Sequence, residues 1–198
     1  MVVIGSDSLT MWVLESIFAG RGWESLMTNQ ADAALIKTFY EAFSRHDAEA
    51  MASCYHADVV FKDPAFGELR GESVADMWRM LTKLSKDLKV KASGISVKGG
   101  VGHAHWDADY TFSATRRKVH NSIDSTFEFK DGLIYRQTDA FDFQKWSSQA
   151  FGPVGSVLGR TPVLPFAVTR FARRNLSQFQ AKQAKKKHAV KKPPSKSN

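Results

Sequence analysis

The chain has 198 residues, of which 43% are hydrophobic, and its formal net charge is +8. This composition is sufficient for the core of one domain with extra segments at its ends. No apolar run reaches the ~18 residues of a transmembrane helix, so a transmembrane segment is not expected. The single cysteine, Cys54, excludes an intramolecular disulfide, and we expect a reducing, cytoplasmic compartment.

The positive charge is concentrated at one end of the chain. Ten Lys or Arg residues and no acidic residue follow from Arg170 onward, whereas the rest of the chain has 18 basic and 20 acidic residues. The composition of residues 182–198 predicts a disordered, Lys-rich tail. Such a tail could contact the phosphates of nucleic acid or anionic lipid, or it could serve only to keep the protein soluble.

Residues 1–28 are interpreted as an N-terminal extension. The apolar run from Met11 to Ala19 has no basic start and is interrupted by Glu15, which argues against a signal peptide. Two alternatives are open here. The extension forms a loosely attached helix, or Met27 is the start of the functional domain.

The next segments predict two helices, a strand and a third helix. Apolar residues at helical spacing predict an amphipathic helix over residues 29–45, and Asp47 is predicted to cap a second helix. Residues 59–61 read as a short strand that ends at Asp63-Pro64, because proline cannot continue a hydrogen-bonded ladder. A third helix is expected to open at Gly71 and to bury Val74, Met77, Trp78, Leu81 and Leu84.

The apolar periodicity then changes from about four to two, which indicates strands. Residues 104–112 and 123–129 are predicted strands, Lys130-Asp131-Gly132 is a predicted hairpin turn, and residues 133–146 form the last strand. Helices followed by an antiparallel meander predict an α+β domain. Glycine and proline interrupt residues 151–181. A basic helix over residues 166–184 either packs on the domain or lies on a membrane surface, and its irregular apolar spacing favours packing.

A set of short motifs in a fixed order then carries a family resemblance. They are Phe39-Tyr40-Glu41-Ala42-Phe43, Arg45-His46-Asp47, Lys62-Asp63-Pro64, Phe129-Lys130-Asp131-Gly132 and Asp139-Ala140-Phe141-Asp142. With them, residues 29–150 resemble the nuclear transport factor 2-like superfamily, specifically its SnoaL-like and ketosteroid-isomerase-like domains. The resemblance implies a cone-shaped fold: a curved antiparallel sheet wrapped around N-terminal helices, an apolar pocket inside, and often a homodimer through the outer sheet face. The fold hosts isomerases, cyclases, epoxide hydrolases and non-catalytic binders.

Two acidic residues are the candidate catalytic groups. Asp63 matches the catalytic base of ketosteroid isomerase, the acid directly before proline, although it could instead be only a turn residue. Asp139 resembles the acid/base carboxylate that SnoaL-like cyclases carry late in the meander, although it could instead pair with Arg136 or Arg116. Two carboxylates facing one cavity could divide the acid and base roles.

The resemblance also implies hydrogen-bond donors for a developing oxyanion. The tyrosine position of the first helix falls on Phe39, which has no donor, and the neighbouring Tyr40 is rotated by ~100°. The later acid falls on Asp124, although the alternation around Phe127 points Asp124 away from the inner face. Aromatic rings would hold a cyclic ligand. The residues predicted to bind substrate are Phe39, Tyr40, Trp78, Trp106, Tyr110, Asp124 and Phe141.

No metal or cofactor is predicted. His103 and His105 share a strand face, but spacing supplies no third ligand. We expect an apolar pocket for a small hydrophobic ligand and cofactor-independent acid/base chemistry of isomerase, cyclase or hydrolase type on a cyclic or carbonyl substrate. The alternative is a non-catalytic ligand-binding or protein-interaction domain of the same fold, with a basic tail that contacts an anionic partner. Whether the protein is an enzyme stays open at this stage.

Overall fold

The computed structural model describes residues 8–191, with side chains described from 23 to 186. Helices precede, interrupt and follow a six-stranded sheet. In chain order the elements are α1 Ser8–Ser44, α2 Ala48–Ser53, β1 Tyr55–Asp63, β2 Gly67–Arg70, α3 Glu72–Leu84, β3 Lys89–Lys98, β4 Val101–Phe112, β5 Arg117–Lys130, β6 Leu133–Ala140, α4 Phe143–Phe151, α5 Pro153–Leu158 and α6 Val163–Lys191.

The sheet is curved, open and mixed rather than purely antiparallel. Its strand order is β2-β1-β6-β5-β4-β3, and β3 to β6 form an antiparallel meander, of which β4 to β6 were predicted. The prediction of an antiparallel sheet was wrong at one pair, since β1 runs parallel to β6. The reason is topological: between β1 and β6 the chain passes through β2, α3 and the strands β3 to β5, and neighbouring strands joined by a long connection, rather than by a tight hairpin, can run parallel.

The N-terminal helices differ from the prediction mainly in length. α1 is one continuous helix from Ser8 to Ser44, so no break separates an extension from the domain at residue 28. Residues 1–7 lie outside the described residues. As predicted, Asp47 caps α2 by accepting a hydrogen bond from the Ala50 amide at 3.0 Å. In α3, Leu84 is 58% exposed rather than buried, because it lies in the last turn of the helix.

The sequence analysis did not predict β2, β3, α4 or α5. Gly67, with φ of +68°, lets the chain reverse after Asp63 and return as β2. The predicted last strand ends at Ala140 rather than at Trp146, because Asp142 caps α4 by accepting from the Lys145 amide at 2.9 Å.

The C-terminal helix is longer than predicted. α6 continues to Lys191, so the predicted disorder of residues 182–191 does not agree with the helix that the structure describes there. Residues 192–198 of the predicted tail lie outside the described residues. Val168 and Leu176 are buried, which confirms that α6 packs on the domain. No helix within residues 8–191 is long and apolar enough to cross a membrane.

The hairpin between β5 and β6 confirms its prediction. Asp131 and Gly132 both have positive φ, at 53° and 72°, and Lys130 pairs with Leu133. This geometry is that of a two-residue type I′ turn, for which Asp-Gly is a favoured sequence. Between Glu128 and Phe129 the pairing then shifts by one residue, and this bulge brings Asp139 opposite Ser125.

A close contact at Gly102 connects the sheet with α1. A Cβ at Gly102 would lie 2.7 Å from Ile36 Cδ1 and 2.9 Å from Phe129 Cζ. We therefore expect Gly102→Ala to lower the free energy of unfolding by about 1–3 kcal/mol through overpacking, as measured by urea unfolding. The matched control is His103→Ala, on the exposed outer face of the same strand, which should change stability by less than about 0.5 kcal/mol. Equal effects of the two variants would contradict this interpretation.

Candidate functional site

The structure contains a cavity of about 430 Å³ between the inner face of the sheet and α3, α4 and α6. Its wall is mainly apolar and aromatic, and two carboxyl groups, Asp63 and Asp139, reach it. Trp78, Trp106, Tyr110 and Phe141 also line the cavity. An apolar concave site with a few polar groups is the usual form of a small-molecule site.

Asp139 enters the cavity from β6 and is held from one side. Its Oδ1 atom accepts hydrogen bonds from Ser125 Oγ at 2.6 Å and from Gln137 Nε2 at 2.9 Å. No residue among 23–186 donates to Oδ2. The alternation of β5 and β6 brings these three side chains to the inner face. One carboxylate oxygen is thus fixed, and the other is left for a group in the cavity.

A layer of aromatic donors lies behind Asp139. Ser125 Oγ accepts from Tyr40 at 3.0 Å and from Trp106 Nε1 at 2.9 Å. Because the Ser125 hydroxyl receives two donors, its own proton is directed to Asp139. Burial, followed by the charge of Asp139, raises the pKa of Tyr40, so its hydroxyl stays a donor.

The Gln137 side chain is fixed in the same way. Its Oε1 accepts from Tyr55 at 2.5 Å, and the Tyr55 hydroxyl accepts from Trp78 Nε1 at 2.9 Å. This arrangement orients the amide nitrogen of Gln137 towards Asp139. Networks in which every buried polar group has a partner hold their members in one geometry.

The environment of Asp139 favours the neutral acid. Burial raises its pKa to about 6, against the lowering effect of the Ser125 and Gln137 hydrogen bonds. The side chain is only 5% exposed. Asp139 therefore loses its proton just below neutral pH, rather than near pH 4.

Asp63 lies at the end of β1 and forms both a turn and a part of the cavity wall. Its Oδ1 atom accepts from the amides of Ala65 at 3.0 Å and Phe66 at 2.5 Å. Burial raises its pKa to about 7; the amide hydrogen bonds lower it, and the charge of Asp139 raises it further. The two interpretations of Asp63 are thus compatible, because one oxygen closes the turn while the residue lines the cavity.

Tyr110 is a third polar group in the cavity. Its hydroxyl oxygen accepts a hydrogen bond from Trp146 Nε1 at 2.8 Å, and within residues 23–186 its proton has no acceptor. Burial raises the pKa of Tyr110, and the charge of Asp63 raises it further. The neutral phenol is therefore available as a hydrogen-bond donor towards the cavity.

Arg173 on α6 fixes the turn that carries Asp63. Its guanidinium donates from Nε to the Phe66 carbonyl and from Nη2 to the Glu68 carbonyl, both at 2.8 Å. Phe171 and Ala172, next to it on the helix, line the cavity. The C-terminal helix therefore contributes a wall of the cavity and holds the Asp63 turn in position.

Comparison with known proteins places this fold in a family. The model of the SnoaL-like domain matches residues 36–137, which is more than half of the chain. This chain belongs to the SnoaL-like family. No curated protein matches the sequence.

Solved structures agree with the SnoaL-like fold at low sequence identity. An LEH-like epoxide hydrolase from M. tuberculosis is 17% identical, with a TM-score of 0.54, and the match covers 67% of this chain and 98% of that one. A protein from Xanthomonas campestris designated a polyketide cyclase is 21% identical, with a TM-score of 0.53 over 62% of this chain and 98% of that one. A protein of ketosteroid isomerase-like fold from Catenulispora acidiphila, in complex with trimethylamine, is 12% identical, with a TM-score of 0.54. That match covers 60% of this chain and 93% of that one.

Three predicted site residues of this SnoaL-like domain lie away from the cavity surface. Phe39 is fully buried in the core, and Tyr40 lies behind Trp106, where it acts on Ser125. Asp124 is on the outer face of the sheet, with its side chain 82% exposed, and its Oδ1 lies 2.8 Å from His105 Nδ1. The strand alternation that points Ser125 inward points Asp124 outward, so the expected contact of Asp124 with a ligand was wrong.

The alternative roles considered from the sequence can also be compared with the structure. Asp139 forms no ion pair with Arg136 or Arg116 among the described residues; Arg136 instead lies 3.3 Å from Glu128. His105 contacts Asp124 and Asp107. Within the described part of the chain, no three His, Cys, Asp or Glu side chains are grouped so that they could hold a metal ion.

Several residues of the SnoaL-like site were not singled out from the sequence. Ser125 lies on the same strand face as Phe127, and Gln137 lies on the same face as Asp139, which is a signal within each strand. The register shift between Glu128 and Phe129 brings the two faces together, and local parity does not predict that shift. Trp146 and Arg173 had no such signal. Their roles depend on where α4 and α6 pack, which local periodicity does not specify.

Proposed function

We propose that this protein is a cofactor-independent acid/base enzyme that acts on a small, hydrophobic, cyclic substrate with a carbonyl or epoxide oxygen. The observation that carries the proposal is the presence of two carboxyl groups on one apolar cavity, of which Asp139 is buried and Asp63 is half-buried. Burial raises their pKa values to about 7 and about 6. Groups that titrate near the working pH are the most effective general acids and bases.

The environments of the two carboxyl groups support a division of roles. Asp139 has the lower pKa and two donors on Oδ1, so it is the better base, with Oδ2 available to take a proton. Asp63 has the higher pKa and is the better acid. In the same cavity, Tyr110 would donate to an oxygen on which negative charge develops.

Two reaction types fit this arrangement. In isomerisation of an unsaturated ketone, Asp139 would remove a proton from the carbon next to the carbonyl and return it to another carbon. In epoxide hydration, Asp139 would take a proton from the attacking water, and Asp63 would give its proton to the departing ring oxygen. The low-identity likeness to an epoxide hydrolase and to proteins of ketosteroid isomerase-like fold supports testing both.

A two-substrate test distinguishes these reactions. Purified protein is incubated with a cyclic β,γ-unsaturated ketone and, separately, with a hydrophobic cyclic epoxide, and the conjugated ketone or the diol is quantified by chromatography. We expect turnover of at least one substrate, which is lost in Asp139→Asn. Turnover that is unchanged in both Asp63→Asn and Asp139→Asn would exclude the proposal.

The second candidate is a non-catalytic binding domain, which the predominantly apolar wall of the cavity supports. Trp78 and Trp106 line the cavity, so the binding of either compound is readable as a change in tryptophan fluorescence. Saturable binding without turnover, and with the same affinity in Asp63→Asn, would favour this candidate over the enzyme.

Tyr110→Phe tests the donor in the cavity. We expect kcat/KM to fall by about 10–10³-fold, mainly through kcat, because the hydroxyl stabilises charge that develops in the transition state. The matched control is Trp146→Phe, which removes the indole donor of the Tyr110 hydroxyl but leaves the hydroxyl in place. It should have the smaller effect on kcat. If Tyr110→Phe keeps kcat within threefold of the wild type, Tyr110 is not the donor.

We further propose a homodimer through the outer face of the sheet. On that face His105 pairs with Asp124 and Asp109 pairs with His120, both across β4 and β5, and these four side chains are exposed. Sedimentation equilibrium would measure the mass of the particle. A monomer at all concentrations tested would exclude the dimer without bearing on the chemistry of the cavity.

A further inference from the structure

The last third of the chain has an unusual charge. The 56 residues after Asp142 hold 12 Lys or Arg residues and no Asp or Glu. Most of these cations lie on α6 or beyond it. An acid-free stretch of this length has no partner for its cations within itself, so it presents a positive face to the surroundings.

Exposed apolar side chains occur in the same region. On α5, Val154 and Val157 are 60% and 69% exposed, and at the start of α6, Val163 and Phe166 are 64% and 71% exposed. Single exposed apolar residues are ordinary, but a group of them marks an interaction surface. The two helices contact each other, so these residues belong to one region of the molecule.

Helical spacing aligns the apolar and the basic residues of α6. Phe166, Arg170 and Arg174 are four residues apart and therefore lie on one face of the helix. That face is exposed, and neither arginine forms an ion pair within the described residues. We call the exposed set the α5–α6 surface. Its members are Val154, Val157, Val163, Phe166, Arg170, Arg174, Lys182 and Lys185.

We infer that the α5–α6 surface binds the face of an anionic phospholipid bilayer. Apolar side chains at one end would enter the boundary between headgroups and acyl chains, and the arginines and lysines would contact lipid phosphates. Membrane-surface helices have this combination of an apolar part and a cationic part. The opposite face of α6, with Val168 and Leu176, is buried on the domain, so the helix can pack and bind lipid at the same time.

Other occupants fit the α5–α6 surface less well. A second copy of the chain would bring two cationic faces together, at an electrostatic cost. A nucleic acid would satisfy the cations but would leave Val154, Val157 and Val163 without an apolar partner, since binding through phosphates depends on charge alone. Of these three occupants, only a lipid surface offers phosphates and hydrocarbon next to each other.

The position of the surface also relates it to the cavity. Leu164, Ala167 and Phe171, on the same helix, line the cavity wall. An apolar compound dissolved in the bilayer would therefore be close to the cavity when α6 lies on the membrane. The inference itself does not depend on the proposed chemistry, and its test involves no turnover.

The test is sedimentation of the full chain with vesicles. We expect binding to phosphatidylcholine vesicles with roughly a third of phosphatidylserine, weaker binding as salt is raised above about 0.15 M, and little binding to phosphatidylcholine alone. The double variant Arg170→Gln/Arg174→Gln should weaken binding roughly 25-fold, from about fivefold per arginine. The double variant Val157→Ser/Phe166→Ser should weaken binding at least tenfold without removing a charge.

A control variant distinguishes binding through the α5–α6 surface from attraction of the vesicle by the net charge of the protein. Arg45→Gln/Lys91→Gln removes two exposed cations elsewhere on the domain and should leave vesicle binding within about twofold of the wild type. An equal loss in this control would show attraction by net charge and would overturn the inference. So would unchanged binding in Val157→Ser/Phe166→Ser, or the absence of vesicle binding together with tight binding of duplex DNA or single-stranded RNA.

Discussion

Asp139→Asn and Asp63→Asn are each expected to lower kcat/KM by about 10²–10⁴-fold on the substrate that the wild type turns over. The asparagine at position 139 can still accept from Ser125 and Gln137 through Oδ1. The loss should therefore fall on kcat rather than on KM, because the cavity is retained and only the exchangeable proton is removed. Steady-state kinetics at several substrate concentrations measures both parameters.

The matched control for these variants is Asp124→Asn. It makes the same chemical change at a carboxylate on the outer face, where the side chain is 82% exposed. We expect kcat/KM within twofold of the wild type. If Asp124→Asn lowered activity as much as Asp139→Asn, the effect would come from the sheet or from an assembly of subunits rather than from the cavity.

The pH dependence of kcat/KM gives an independent check. The pKa values are about 6 for Asp139 and about 7 for Asp63. With Asp139 as the ionised base and Asp63 as the protonated acid, activity should be highest in the narrow interval between these values. The two apparent pKa values of the pH profile describe the pair of carboxyl groups rather than either residue alone, because each carboxylate disfavours ionisation of the other. A profile that is flat from about pH 5 to about pH 8 would contradict the division of roles.

Removing the buried charge should also stabilise the fold. Asp63→Asn is expected to raise the free energy of unfolding at about pH 8, by at most about 4 kcal/mol. The reason is that the wild-type carboxyl has a pKa of about 7 in the folded state and near its ordinary value of 3.8 when unfolded. Above about pH 7 the folded protein holds an ionised group in an apolar cavity, whereas the unfolded chain holds it in water.

The sign of the pH dependence follows from proton binding. Between the unfolded and folded pKa values, the folded state binds more protons than the unfolded state, so stability falls as pH rises through this window. For Asp63 the window extends from 3.8 to about 7 and for Asp139 from 3.8 to about 6, and the two losses have the same direction. Stability should level off above about pH 7.

Urea unfolding at a series of pH values tests this prediction. The difference between Asp63→Asn and the wild type should be largest at about pH 8 and should shrink towards about pH 3, below the ordinary pKa of 3.8, where the carboxyl is mostly neutral in both states. Asp124→Asn is again the control, since its exposed carboxylate lies beside His105 and outside the cavity. A variant Asp63→Asn that is less stable than the wild type at about pH 8 would show that the hydrogen bonds of the turn outweigh desolvation.

Lower activity and higher stability of Asp63→Asn would together show that the wild-type residue gives up stability for function. Wild-type Asp63 would be the less stable and the more active choice at the same position. Such trade-offs are expected where a site keeps a desolvated charge for chemistry.

The sequence was sufficient for the parts of the fold that depend on local periodicity. The alternation of residues 123–129 predicts β5 and its inward set, and Asp131-Gly132 predicts the turn that joins β5 to β6. Continued from this turn without a bulge, the pairing would set Asp139 opposite Asp124 on the outer face; the register shift between Glu128 and Phe129, which the alternation does not predict, brings Asp139 inward. The same alternation points Asp124 outward, so that error came from carrying over a position of the family rather than from the pattern itself.

Contacts distant in sequence could not be predicted in this way. The hydrogen bond from Trp146 to Tyr110 joins α4 to β4, and those from Arg173 join α6 to the turn after Asp63. Neither depends on a local motif, since each requires the packing of a helix whose position periodicity leaves open. The parallel pairing of β1 with β6 is unpredictable for the same reason.

Because α6 forms a wall of the cavity, similarity over the SnoaL-like domain alone says little about which ligand this protein binds. The SnoaL-like model ends at residue 137, yet Phe171, Ala172 and Asn175 of α6 complete the wall, and Arg173 clamps the Asp63 turn. A protein trimmed to the matched residues would keep the strand that carries Asp63 and lose the helix that encloses it. The ligand preferences of relatives that share only the matched residues are therefore a poor guide to this protein, because the shape and access of its cavity depend on a segment outside the match.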